Sequence, residues 1–196
     1  MTDPRLERWL ASLVATPGLT AIRDLDEARR VHVEESLTAV EIIERFPGAI
    51  VDVGSGGGAP GIPLAAAFPD REVTLLEATE RKCVFLARWT GDFPNLRVMR
   101  GRAEEQPVDT WGVAVAKALA PPVVAAEWCL PLVAPGGAAI LFVGPSAQSE
   151  RVARVAELLG AELAESTAGL LVLRKTRPTP AGFPRRAGIA RKRPLA

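Results

Sequence analysis

The chain has no tyrosine, a single histidine (His32) and two cysteines among 196 residues. Each shortage narrows the chemistry. Without a tyrosine or a cysteine-based dyad, the acid–base pairs that many hydride-transfer enzymes use have no candidate residues. One histidine and two separated cysteines give neither metal-ligand spacing nor a Ser/His/Asp set, so no metal centre and no nucleophilic triad are expected. Cys83 and Cys129 each fall in an amphipathic helical stretch and read as buried thiols rather than a disulfide. No run approaches the ~20 apolar residues of a membrane span. The opening residues, Met1 to Arg8, lack the long apolar core of a secretory signal, so no membrane contact and a cytoplasmic location are expected. The length suits one domain, able to bury about 70% of its unfolded surface.

What the chain has in excess lies at 50–64, Ile-Val-Asp-Val-Gly-Ser-Gly-Gly-Gly-Ala-Pro-Gly-Ile-Pro-Leu. An apolar strand, Ala49 to Val53, runs into glycines at 54, 56, 57, 58 and 61, then into a helix opened by Pro60 or Pro63. Glycine visits positive φ and lets backbone approach a ligand, and proline suits the first turn of a helix. This is a nucleoside-cofactor loop at the carboxyl edge of a parallel sheet. Two cofactors compete for it. Gly56 to Gly61 satisfies the dinucleotide pattern G-x-G-x-x-G, a match nearly automatic in so glycine-rich a run. Asp52-x-Gly54-x-Gly56-x-Gly58 instead sets an acid at the strand tip, where a diphosphate would meet like charge. The ammonium end of S-adenosylmethionine would be drawn there, directly or through water. Glu77 ends the next apolar run and is placed for ribose hydroxyls under either reading. Asp52 favours S-adenosylmethionine over NAD; a glycine-rich turn without a ligand is the remaining reading.

Helical spacing covers Arg5–Ala15 and Leu25–Phe46, the latter stopping before Pro47-Gly48. Downstream, strands are predicted at Glu72–Glu77, Leu96–Arg100, Gly112–Lys117 and Ala138–Val143, with helices at Thr79–Thr90, Pro122–Val133 and Ser149–Leu159. Strands near Ala161–Glu165 and Leu170–Arg174, separated by Ser166-Thr167-Ala168-Gly169, predict a terminal antiparallel hairpin. The alternation gives an α/β fold: a mostly parallel seven-stranded sheet with helices on both faces. That is the class I, Rossmann-like architecture of S-adenosylmethionine-dependent methyltransferases, whereas an NAD domain usually ends on another parallel strand. Three segments follow: a helical arm or cap at 1–47, a cofactor-binding core at 48–175, and a basic tail at 176–196. Pro178, Pro180, Pro184 and Pro194 rule out regular structure in the tail. The four tryptophans (Trp9, Trp89, Trp111, Trp128) read mostly as core.

Net charge is +1, but it is unevenly placed. Residues 174–196 carry eight Lys or Arg and no acid, leaving sixteen basic against twenty-three acidic residues before them. Such asymmetry points to a polyanion partner, with a solubilising disordered tail as the plainer alternative.

Taken together these stretches resemble the bacterial 16S rRNA guanine-N7 methyltransferases of the glucose-inhibited-division B type. Asp52–Leu64 is similar to the family's D-x-G-S-G-x-G-x-P-G-I-P-L, Leu75–Leu86 to its L-L-(D/E)-x-x-x-(K/R)-(K/R)-x-x-F-L, and Gly101–Glu105 to its G-R-A-E-E. Gly18–Ile22 with His32–Leu37 resembles its N-L-T and H-x-x-D-S-L, and Thr179–Gly188 its T-P-x-x-Y-P-R-x-x-G. The resemblance implies methyl transfer from S-adenosylmethionine to guanine N7 in the decoding-region loop of 16S rRNA, on rRNA or the 30S subunit, by a monomer. It also implies that Gly54 and Ala59 line the methionine and ribose side, that Glu77, Ala78 and Thr79 meet the ribose, and that Ala103 and Glu104 frame the adenine. Lys117 stands where the family usually has an arginine lining the cleft. Val143 replaces a lysine, Gly18 an asparagine and Glu35 an aspartate, so two changes remove cationic groups or their hydrogen-bonding geometry.

The chemistry so implied is undemanding of acid–base groups. Guanine N7 has an in-plane lone pair at neutral pH, so catalysis is alignment, worth up to ~7–11 kcal/mol in favourable cases. Lys117 is the candidate donor to guanine O6, unless it is a solvated surface lysine. His32 either bonds the segment before it or faces RNA. Arg81, Lys82, Arg100, Arg102, Arg185, Arg186, Arg191, Lys192 and Arg193 are candidates for phosphate contacts, and Phe183 for stacking on a flipped base. Other readings are a relative that binds the cofactor but has lost or changed its transfer, an NAD-dependent oxidoreductase, and a non-enzymatic assembly factor.

Overall fold

A computed structural model describes residues 3–144, 147–167 and 169–196. The chain begins with α1 (Pro4–Ala15), whose N-cap Asp3 accepts from the Arg5 N–H. The expected long second helix is instead interrupted: α2 (Leu25–Arg29), a π-helical turn (Arg30–Glu34), α3 (Glu35–Leu37) and α4 (Val40–Ile43). Side-chain hydroxyls supply a reason. Ser36 Oγ donates to the His32 carbonyl at 2.8 Å and Thr38 Oγ1 to the Glu35 carbonyl at 2.7 Å, competing with the regular backbone ladder.

The rest alternates as the sequence pattern requires: β1 (Ile50–Val53), α5 (Gly61–Ala67), β2 (Val73–Glu77), α6 (Glu80–Ala87), β3 (Leu96–Arg100), β4 (Trp111–Lys117), α7 (Pro122–Cys129), β5 (Val133–Phe142), α8 (Ser149–Leu158), β6 (Ala161–Ser166), β7 (Leu170–Lys175) and α9 (Ile189–Lys192). One seven-stranded sheet has the order β3-β2-β1-β4-β5-β7-β6, parallel except for β7, which runs antiparallel to both neighbours. The closing hairpin is therefore as expected; Ala168 of its turn lies outside the described residues. Three boundaries moved. Proline lacks an amide hydrogen, so Pro131 turns the end of α7 into a 3-10 turn, Leu130–Leu132. β5 begins at Val133 rather than at the expected Ala138, because Trp111 pairs with Val133 and the register then shifts. In the tail, α9 forms between Pro184 and Pro194, so the prolines bound the helix instead of excluding it.

The strand period sorts the core into two layers. Ile50, Val73, Leu75, Val113 and Val115 face α1–α6, whereas Val51, Val53, Leu76, Ala114 and Ala116 face α7 and α8. β1 lies between β2 and β4, so the chain leaves in opposite directions on its two sides. In such sheets ligands bind past the carboxyl ends of the strands at this reversal. No helix among the described residues is long and apolar enough to cross a membrane.

Candidate functional site

The loop after β1 is held from below and from both sides. Asp52 Oδ2 accepts the Gly61 N–H at 3.0 Å, and Glu77 accepts the Gly56 N–H at 3.0 Å and the Thr79 N–H at 2.8 Å. From the helical arm, Trp9 Nε1 donates to the Gly57 carbonyl at 2.9 Å. A Cβ at Gly57 would meet Leu13 at 2.3 Å, and one at Gly61 would meet Leu75 at 2.2 Å. At these positions glycine admits the protein's own side chains. Gly54, at φ 72°, is likewise crowded, by Leu119 at 2.3 Å from where a Cβ would sit, but it lines two cavities.

The larger cavity, about 380 Å³, is walled by Val53, Gly54, Leu76, Glu77, Ala78 and Thr79 on one side and by Gly101, Arg102, Ala103 and Glu104 on the other. Thus the residues expected around ribose and adenine are brought together. Leu119, Trp128, Gly188 and Arg191 complete the wall, and Lys82 reaches both cavities. Trp128 of α7 and Leu119 of the loop before it were not foreseen, since an apolar residue carries no sign in sequence of facing a ligand. The smaller cavity, about 260 Å³, has apolar sides from Leu13, Leu19 and Ala59 and polar groups from His32 and Lys117, with Gly56 at its edge.

Asp52 departs from expectation. It is 1% exposed and lines neither cavity; burial pushes its carboxyl up to about 7, against the opposing bond from Gly61. Its second oxygen, Oδ1, finds no hydrogen-bond partner among the described residues. Gly58 likewise faces Ile62 and Leu86 rather than a cavity. An orphaned carboxylate oxygen under the loop, a second acid at the tip of β2 and a nucleoside-sized cavity beside them fit a ligand with a cationic end and a ribose.

Lys117 is not a solvated surface lysine. Its side chain is 13% exposed, its ammonium donates to the Val31 carbonyl and pairs with Glu35 Oε2 at 3.1 Å, and it lies 5.6 Å from the centroid of the Phe142 ring. Burial lowers its pKa, opposed by Glu35. His32 Nε2 bonds Thr20 Oγ1 at 3.0 Å, joining the helical arm to the segment before it, and burial lowers its pKa.

The cationic candidates separate. Arg81, Arg102, Arg186, Lys192 and Arg193 are exposed, and Arg100 is exposed but 3.1 Å from Glu80. Arg185 is elsewhere: its guanidinium forks onto the buried Glu127 carboxylate, Nε and Nη2 each at 2.6 Å, because Glu127 would otherwise be an unpaired buried charge. Phe183 is half-buried against the core layer that includes α7. Both cysteines are free, Cys129 is buried, and no metal-holding cluster occurs among the described residues.

Comparison with known proteins agrees with this geometry. Residues 5–170 match the family model described as GidB, rRNA small subunit methyltransferase G. Proteins named ribosomal RNA small subunit methyltransferase G are 38% identical in Thermotoga neapolitana, over 96% of this chain and 89% of that one, and 35% identical in Synechococcus elongatus, over 91% and 82%. Among solved structures, an S-adenosylmethionine-dependent O-methyltransferase from Thermotoga maritima matches with TM-score 0.60 at 17% identity, over 84% of this chain and 73% of that chain. The 16S rRNA N2 G1207 methyltransferase of T. thermophilus, solved with AdoMet and guanosine, matches with TM-score 0.51 at 17% identity, over 69% of this chain and 37% of that chain. These two likenesses concern the fold.

Proposed function

Because the chain belongs to the rRNA small subunit methyltransferase G family, we propose that it transfers a methyl group from S-adenosylmethionine to N7 of a guanine in the decoding-region loop of 16S rRNA. The observation that carries this reading is the pair of cavities sharing Gly54: one sized and walled for a nucleoside, the other with apolar sides and the Lys117 ammonium. S-adenosylmethionine supplies an electrophilic sulfonium methyl when bound. Glu77 and the Ala78-Thr79 backbone would hold its ribose and Ala103 with Glu104 its adenine. Gly54, against which Leu119 packs, borders both cavities.

No residue has to remove a proton from guanine N7, so the protein's part is alignment and exclusion of water. Leu13 and Leu19 offer flat contact to a base, and Lys117 donates to O6 on the edge that carries N7. Lys117 replaces an arginine of the family pattern and Glu35 an aspartate, yet the two face each other. A longer acid holding the lysine keeps a cation in the cleft, which favours retained transfer over a silent relative. In this reading a monomer acts on 16S rRNA or the 30S subunit. Arg81, Arg102, Arg186, Lys192 and Arg193 are the proposed phosphate contacts.

The test is incubation of the protein with methyl-labelled S-adenosylmethionine and 30S subunits lacking N7 methylation, followed by borohydride and aniline cleavage mapping. One labelled guanine in the decoding-region loop is expected. Label elsewhere, or none while cofactor binding is intact, rules the reading out.

A further inference from the structure

The tail beyond residue 175 is the most basic part of the chain, yet its course ties it to the nucleoside cavity. Two anchors set that course. Lys175, fully buried, donates to the Leu130 and Leu159 carbonyls at 3.0 Å and to Thr179 Oγ1 at 2.8 Å, and Asp109 takes the Thr179 N–H and hydroxyl. Arg185 then locks onto Glu127 of α7. Past this anchor the backbone turns at Gly188, φ 81°, and lays Ala190 into the core at 2% exposure. The turn delivers two residues to the cavity wall. The Gly188 N–H donates to Glu104 Oε1 at 3.2 Å, and the Arg191 guanidinium stands 5.2 Å from the Trp128 ring centroid, 3.5 Å from the Leu119 carbonyl.

We propose that residues 188–191 belong to the cofactor site: Gly188 positions Glu104, and Arg191 closes the adenine side against Trp128. With Oε1 fixed by backbone, Glu104 presents its other oxygen in a set direction, suited to accept from an adenine amino group. The planar guanidinium offers a flat face to an aromatic ring. Trp128 Nε1, buried in the same wall without a partner among the described residues, marks that wall as incomplete until something polar joins it. The cofactor then favours the docked tail and the docked tail favours the cofactor by the same factor. This rests on the cofactor reading above, and its failure is separable from that reading's.

The test uses the full chain and S-adenosylhomocysteine. Calorimetry should show affinity lowered about tenfold in Arg191→Ala, within the lower part of the usual coupling range, with the unliganded melting temperature unchanged because the side chain is exposed. Arg191→Lys should recover only part of the loss, and Arg177→Ala, equal in charge lost but remote from the cavity, none. In the wild-type protein, amide exchange across 186–193 should slow on adding the ligand. Wild-type affinity in Arg191→Ala, or tail exchange indifferent to bound ligand, overturns the proposal. A wild-type protein that binds no S-adenosylhomocysteine refutes the cofactor reading and this inference with it.

Discussion

Asp52 shows how far one residue can be read before its surroundings are known. The acid at the tip of β1 was legible as a mark of the cofactor, from its charge and its distance to the first glycine. Its burial was not, because that depends on Gly61 and Leu75 closing over it. A carboxyl held near 7 keeps its proton in the folded protein at pH values where the unfolded chain has lost it. Its contribution to stability therefore falls as pH rises from about 4 toward 7. Asp52→Asn keeps an oxygen for the Gly61 N–H and removes the charge. In urea titrations above pH 7 it should be more stable than wild type by on the order of 1–3 kcal/mol, because no buried carboxylate charge then opposes folding. An ammonium group above the loop favours the charged carboxylate, so wild-type affinity for S-adenosylhomocysteine, through its amino-acid end, should climb between pH 6 and 8. In Asp52→Asn that climb should flatten, as calorimetry across the range would show.

Lys117 and Glu35 are 3.1 Å apart, and each departs from the family's pattern. Sequence placed them 82 positions from each other, so nothing in it showed that they meet. If they act as one unit, Lys117→Arg and Glu35→Asp should each lower kcat/KM on 30S subunits while the double variant recovers. A coupling energy of about 0.5–3 kcal/mol is expected for groups in contact. Strict additivity would mean that the pair carries no shared role.

At the scale of elements, the helices and strands were legible because their apolar periods differ, 3.6 against 2, and because proline and glycine mark most ends. What escaped is where local rules are overruled by a partner. The hydroxyls of Ser36 and Thr38 break the second helix, and pairing with Trp111 draws Val133 into β5 through a Pro-Gly-Gly stretch. The docking of α1 onto the glycine loop is of the same kind. Trp9 is fully buried and its indole N–H fixes the Gly57 carbonyl, 48 residues away. Trp9→Phe keeps most of the ring but strips that donor, and should cost about 0.5–1.5 kcal/mol in denaturant titrations, the net worth of one part-buried hydrogen bond. It should also weaken S-adenosylhomocysteine binding. A loop that holds its ligand unchanged without this bond would show α1 to be a cap on the core alone.

Across the whole molecule the decisive quantity is where charge remains free. The count of eight basic residues at 174–196 pointed to a polyanion but overstates what is on offer. Arg174 pairs with Glu162, Lys175 is buried and Arg185 is locked on Glu127. Arg186, Lys192 and Arg193 are exposed and carry no salt bridge among the described residues. Composition shows how much charge there is, whereas only packing shows how much of it can meet a phosphate. Each phosphate neutralised releases counterions, so binding to single-stranded or looped RNA should weaken with salt by a slope of about 0.7 per contact. Replacing Arg186, Lys192 and Arg193 together by alanine should then flatten the dependence of log affinity on log salt by about 2, measured with 30S subunits or a decoding-region RNA. Arg185→Ala should leave that slope where it is and lower the melting temperature instead, because it strands the Glu127 carboxylate in the core. If Arg185→Ala flattened the slope as much as the three exposed residues do, the tail would have to leave α7 when RNA binds, and the division between anchoring and phosphate-reading cations would fall.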